Sequence, residues 1–240
     1  MIMLKKTNGN MYEFITHTWN TVAGKCPHDC KYCYAIYKYG QMNNDAVRLN
    51  KESFKDNLGS GNFIFVGSGI DLFANDIPEE WIKRTLDKCA YDNTDLFGST
   101  NRYLFQSKNP RRILDFINHP VFNSSIVCTT IESNRFIPSI MNKAPHVEER
   151  AEAMSEIASK GIETYLTIEP IMAFDKEELI RLIRMCRPTQ VNIGANTNEK
   201  KKLPEPTKQE LFALVNEIKG ECKVELKRNL ERLISSCFTS

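Results

Sequence analysis

Three thiols fall within eight residues of this chain, in the run Cys26-Pro-His-Asp-Cys30-Lys-Tyr-Cys33, spaced C-x3-C-x2-C. Thiolates are soft ligands that favour iron–sulfur clusters, zinc or copper(I). Three of them without an evident fourth suit a four-iron cluster that leaves one iron open to a substrate or cofactor. A zinc module with His28 as fourth ligand is the alternative. His28 lies inside the run, however, whereas structural zinc sites usually draw on two separated ligand pairs. The other five cysteines, Cys89, Cys128, Cys186, Cys222 and Cys237, are scattered and read as small buried hydrophobes.

The segments around the cysteines must form the scaffold that positions them. Residues 11–19 are rich in strand formers and predict a first strand, with the cysteine run directly behind it. Residues 34–58 are polar and helix-permissive. The apolar run 62–66 ends in Gly67-Ser68-Gly69, a buried strand opening into a loop. Pro78-Glu79-Glu80 starts a helix whose apolar positions Trp81, Ile82, Leu86 and Cys89 recur at helical spacing. The alternation continues with strands at 102–108, 125–132, 164–169, 190–195 and 223–226. Helices are expected at 110–118, 147–160, 175–186 with Asp175 as cap, 207–219 and 228–235.

Strands alternating with helices at this spacing imply βαβ units and a parallel sheet. No glycine fingerprint of a dinucleotide-binding fold follows the first strand, so the expected class is α/β, a partial (β/α)6 TIM-like barrel. The expectation is one domain over 1–240, with a core of about 11–220 and a C-terminal strand and helix in 221–240. Period-2 parity divides the later strands into an apolar face and a polar one. Cys128, Thr130 and Glu132 oppose Val127 and Ile131, Tyr165, Thr167 and Glu169 oppose Leu166 and Ile168, and Asn192, Gly194 and Asn196 oppose Val191 and Ile193. Polar groups near the C-terminal strand ends predict a ligand site at that mouth, where the cysteine loop also leaves its strand. His17 and Trp19 are expected to flank the approach to it.

The C-x3-C-x2-C run after a first strand, with Tyr32 between its last two cysteines, resembles the radical S-adenosylmethionine (SAM) superfamily. Gly67-Ser-Gly-Ile-Asp71-Leu-Phe73, Gln106-Ser-Lys108-Asn-Pro-Arg-Arg112, Thr129-Thr-Ile-Glu132, Ile168-Glu169-Pro170 and Val224-Glu-Leu-Lys227-Arg-Asn-Leu230 resemble motifs of phage-associated radical SAM proteins, distantly similar to spore photoproduct lyase. The resemblance implies that Cys26, Cys30 and Cys33 hold a [4Fe–4S] cluster whose open iron chelates SAM. One-electron reduction then gives a 5′-deoxyadenosyl radical that abstracts a substrate hydrogen, with a flavodoxin or ferredoxin as reductant. Tyr32 is expected beside the adenine. Gly67, Ser68, Gly69 and Asp71 stand where the superfamily has Gly-Gly-Glu for the methionine amino group, and the glutamate itself is absent. Lys108 is expected at the methionine carboxylate, Thr130 and Glu132 at the ribose and methionine end, and Glu169 and Asn196 in the lumen. Cys128 is a candidate hydrogen-atom donor.

Bulk properties fit a globular protein: 41% apolar residues, 26% charged, and a net charge of +2 that neither requires nor excludes nucleic acid. Arg111-Arg112 and Lys200-Lys201-Lys202 read as solvated surface. No apolar run is long enough for a membrane span and no secretory segment is evident, so the eight cysteines point to a reducing cytoplasm. The expected substrate is a nucleic-acid base or nucleotide, with a large substrate or partner protein closing the barrel. A peptide or small molecule is the alternative.

Overall fold

A computed structural model describes residues 2–4, 6, 12–35, 45–91, 101–197 and 201–235. Seven strands make the central sheet: β1 (His17–Trp19), β2 (Phe63–Val66), β3 (Arg102–Gln106), β4 (Ser125–Thr130), β5 (Glu163–Ile168), β6 (Gln190–Ile193) and β7 (Lys223–Leu226). They lie side by side in chain order, and every neighbouring pair is parallel. Helices α1 (Glu79–Tyr91), α2 (Pro138–Met141), α3 (Val147–Ser159), α4 (Lys176–Cys186), α5 (Lys208–Ile218) and α6 (Glu231–Ser235) complete the α/β partial barrel. The C-terminal strand is no appendage, because all four residues of β7 pair in register with β6.

The two faces of the sheet separate as parity predicts. Ile64, Val66, Phe105, Val127, Leu166 and Val191 face the helices, where Leu86, Met154, Ile157, Leu179 and Leu214 cover them. The inner face is plugged at its lower end by a smaller cluster of Phe65, Leu104, Ile126 and Cys128, closed by Tyr12 and Ile15 from the segment before β1. Among the described residues β1 and β7 do not pair, and Tyr12 spans the gap between them. Its ring lies 4.4 Å from the Lys227 ammonium just after β7, and its hydroxyl donates to Gln106 Oε1 at 2.7 Å.

Several local expectations change. The helix-permissive stretch 34–58 contains short strands: Arg48–Leu49 pairs with Val22–Ala23, and Asp56–Asn57 pairs with Ile2–Met3. Between them Lys51–Lys55 forms a 3₁₀ turn, while 36–44 lie outside the described residues. The segment after β3 forms two 3₁₀ turns, Pro110–Phe116 and Pro120–Ser124, because Pro120 holds His119 extended at ψ 133° and interrupts a helix. Asp175 stands at the N-cap position of α4 as expected, but its side chain makes no capping bond, its carboxylate being bound by Arg135 and Asn134. At α5, Thr207 and Glu210 form a reciprocal capping box. His17 and Trp19 share the helix-covered face with their partners Ile64 and Val66 and do not line the cluster approach. Trp19 instead donates to Ser53 O at 3.1 Å.

Candidate active site

Every chemistry-bearing segment follows the C-terminal end of a strand: the cysteine loop after β1, Gly67–Asp71 after β2, Lys108 after β3, Glu132 after β4, Glu169 after β5 and Lys227 after β7. The parallel sheet thus gathers them at one mouth. The cysteine loop is fastened to α2, where Lys31 N donates to Ile140 O at 2.9 Å and Asn142 Nδ2 to Asp29 Oδ2 at 2.8 Å. Asp29 itself takes a left-handed φ of 49°, one of the few residue types that tolerates it. Cys30 is buried, Cys26 and Cys33 are half-buried, and all three are free thiols. Burial, and then the nearby Asp71 charge, push the Cys26 thiol up to about 12. Burial also raises Cys30, against the lowering effect of Lys108.

Asp71 is the keystone beside this loop. Its Oδ2 meets His28 Nε2 at 2.7 Å and accepts from Lys108 N at 2.8 Å and Ser107 Oγ at 3.0 Å, while Oδ1 accepts from Phe73 N at 3.0 Å. Burial opposes its ionisation, but the His28 imidazole and these donors hold its pKa below the ordinary carboxylate range. Asp71 therefore ties the cysteine loop to the ends of β2 and β3. Through the same contact His28 Nε2 is engaged by a carboxylate. Among the described residues, no group of three His, Cys, Asp or Glu side chains is arranged to hold a metal ion, the three cysteines of the loop included.

The turn after β2 is shaped by Asn20, which sequence reasoning missed. Asn20 Oδ1 accepts from Gly69 N at 2.8 Å, and Asn20 Nδ2 donates to Ser68 Oγ at 3.2 Å. Gly67 sits at φ 78°, which excludes a Cβ without strain.

A buried charged network lies across the loop. The Tyr32 hydroxyl donates to Glu132 Oε1, Arg150 Nη1 donates to Glu132 Oε2 at 2.9 Å, and Lys108 Nζ lies 3.4 Å from Oε1 and 5.3 Å from the Tyr32 ring. Burial raises the pKa of Glu132, yet the charges of Arg150 and Lys108 bring it down to about 2. Burial would likewise discharge Lys108, but Glu132 and Cys30 keep its pKa raised. Arg150 is fully buried, also donates to Thr130 O and Pro145 O, and leaves Nη2 without a partner.

Deeper in the lumen Gln106 Nε2 donates to Thr130 Oγ1 at 3.3 Å, next to Cys128, whose thiol burial pushes up to about 12. The buried hydroxyl of Thr167 has no hydrogen-bond partner there. Glu169 is paired with Lys227 and accepts from Asn229 Nδ2 at 3.1 Å. Asn196 stands apart from this group, its Nδ2 donating to Lys201 O at 2.7 Å. Two adjoining cavities of about 310 and 320 Å³ lie at the opposite end of the sheet, beside Arg102, Ser125, Lys160 and Glu163, away from these groups.

Three features fit a cluster and its cofactor: a set of soft thiols on one loop, an excess positive charge in the Lys108–Glu132–Arg150 network, and buried unpartnered polar atoms on Arg150 and Thr167. Comparisons with known proteins agree. The family model of the radical SAM superfamily matches residues 20–186. A cysteine-to-serine mutant of spore photoproduct lyase superposes with a TM-score of 0.66 at 12% identity, covering 93% of this chain and 78% of that one. A spore photoproduct lyase double mutant with bound SAM and dinucleoside spore photoproduct gives 0.59 at 13%, covering 90% and 65%, so this chain spans under two thirds of that protein. Streptococcus suis SuiB bound to SAM gives 0.52 at 9%, covering 87% and 49%. At these identities the likeness is one of fold. No curated protein sequence matches.

Proposed function

The chain belongs to the radical SAM superfamily, whose enzymes use a [4Fe–4S] cluster and SAM, and we propose that Cys26, Cys30 and Cys33 hold that cluster at the mouth of this barrel. The observation that carries the reading is one anchored loop presenting three free thiols against a buried network with excess positive charge. When bound, the cluster and SAM supply a 5′-deoxyadenosyl radical for hydrogen abstraction. The chain's own residues bind and orient. Lys108 offers a charged ammonium for the methionine carboxylate, and the Gly67–Gly69 turn allows close backbone approach. Thr130 offers a hydroxyl to the ribose. Tyr32, Asp71 and Glu132, already engaged with protein partners, act as positioning residues. Glu169 and Lys227 line the substrate side, and Asn196 braces the loop after β6. Cys128 keeps its S–H at neutral pH, as a hydrogen-atom donor requires.

A nucleic-acid base or nucleotide is the proposed substrate class. Support comes from the fold shared with a lyase bound to a dinucleoside photoproduct. A flavodoxin or ferredoxin is the proposed electron donor. Among the described residues, no helix is long and apolar enough to cross a membrane. Protein reconstituted anaerobically and reduced in the presence of SAM is expected to release 5′-deoxyadenosine and methionine in equal amounts. DNA or RNA should bind with an affinity that falls steeply with salt. Absence of 5′-deoxyadenosine sinks the enzymatic reading. Salt-independent binding or none sinks the substrate class.

A further inference from the structure

The network of Lys108, Glu132 and Arg150 carries two cations and one carboxylate, a net charge of +1, in a region where Glu132 and Arg150 have no solvent exposure and the Lys108 side chain only 18%. A buried charge that is not balanced is costly unless a partner of opposite sign completes it. The imbalance sits against the cysteine loop. Tyr32, between Cys30 and Cys33, donates to Glu132 and lies under the Lys108 ammonium. Arg150 is held rigidly by Pro145 O, Thr130 O and Glu132, and one guanidinium nitrogen, Nη2, is buried with nothing to donate to. An anion at the cysteine loop would balance the charge.

We propose that Lys108, Glu132 and Arg150 form an electrostatic device that sets the reduction potential of the cluster, with Arg150 as its fixed positive element. This rests on the cluster assignment above. Reduction adds one negative charge to the cluster, and a buried cation close by stabilises that state more than it would in water. Arg150 acts through its charge and through Glu132, so it is a positioning and tuning residue. The carboxylate of Glu132 offsets part of the effect, and the device has a sign that substitutions can reverse.

The test is a potentiometric titration, followed by electron paramagnetic resonance (EPR), of reconstituted full-length protein without SAM. Arg150→Met takes the network from +1 to neutral and should move the midpoint to a more negative potential. Glu132→Gln takes it to +2 and should move the midpoint positive while keeping the side-chain shape. The double variant returns the network to +1 and should restore the wild-type midpoint. Equal midpoints in all variants, or shifts of the same sign in both single variants, overturn the proposal. If Arg150→Met does not fold, the positive shift in Glu132→Gln still decides. A wild-type protein that shows no cluster signal on reduction instead overturns the cluster assignment, and this inference with it.

Discussion

Single atoms decide how the mouth is built. A Cβ placed on Gly194 would lie 2.7 Å from Oε1 of Glu169, so the carboxylate and the strand end occupy the same space only because residue 194 has no side chain. Glu169 in turn holds Lys227 and Asn229. Gly194→Ala should therefore displace Glu169, loosen the Lys227 pairing and destabilise the fold by about 1–3 kcal/mol, the usual cost of overpacking. Thermal unfolding reads it, and an unchanged midpoint would show that Glu169 moves freely. The site is unevenly legible at this scale. Spacing alone singled out Cys26, Cys30 and Cys33 as candidates, because all three fall in a single loop. Arg150 was hidden, since in Val147-Glu-Glu-Arg150-Ala-Glu it resembles one more charge on a solvated helix face. Its burial follows from which side of α3 meets the sheet. Asp71 was noticed for its position, but its role as a tie between His28, Ser107 and Lys108 depends on three separate segments meeting.

Strands and helices were read more reliably than connections. Period-2 alternation in β4, β5 and β6 assigned the lumen side of Cys128, Thr130, Thr167 and Asn192 from the sequence, and the pairing of these strands agrees. The turns after β3 were missed because Pro110 and Pro120 lie ten residues apart in a polar-apolar mixture that also fits a helix. Nothing local signals that the segment before β1 folds across the lumen to meet the segment after β7. That contact joins residues 12 and 227, and periodicity does not register it. Tyr12 is nevertheless the element-level seal of the open edge, 3% exposed and linked to both Gln106 and Lys227. Tyr12→Phe keeps the ring over the ammonium and should cost only about 1 kcal/mol for the lost hydrogen bond. Tyr12→Ala should cost about 3–5 kcal/mol and open the lower lumen. Chemical denaturation of the pair separates the two, and equal losses would mean that the ring contributes nothing to closing the edge.

For the whole molecule, seven parallel strands in sequential order curve far enough to define an inside and an outside without closing. One end carries the thiols and the charged network, and the barrel's lower interior is filled by Phe65, Leu104, Ile126 and Tyr12. This polarity is the structural reason to propose radical chemistry at the C-terminal mouth, shielded from below. The central question is whether Cys26, Cys30 and Cys33 hold a cluster with one free iron. The most direct measurement is EPR of the reduced, anaerobically reconstituted protein before and after SAM is added. The expected result is about four irons per chain, a signal whose shape changes when SAM binds, and loss of that signal on replacing Cys26, Cys30 or Cys33 with alanine. A colourless zinc-loaded protein, or a cluster signal indifferent to SAM and to those substitutions, would contradict it.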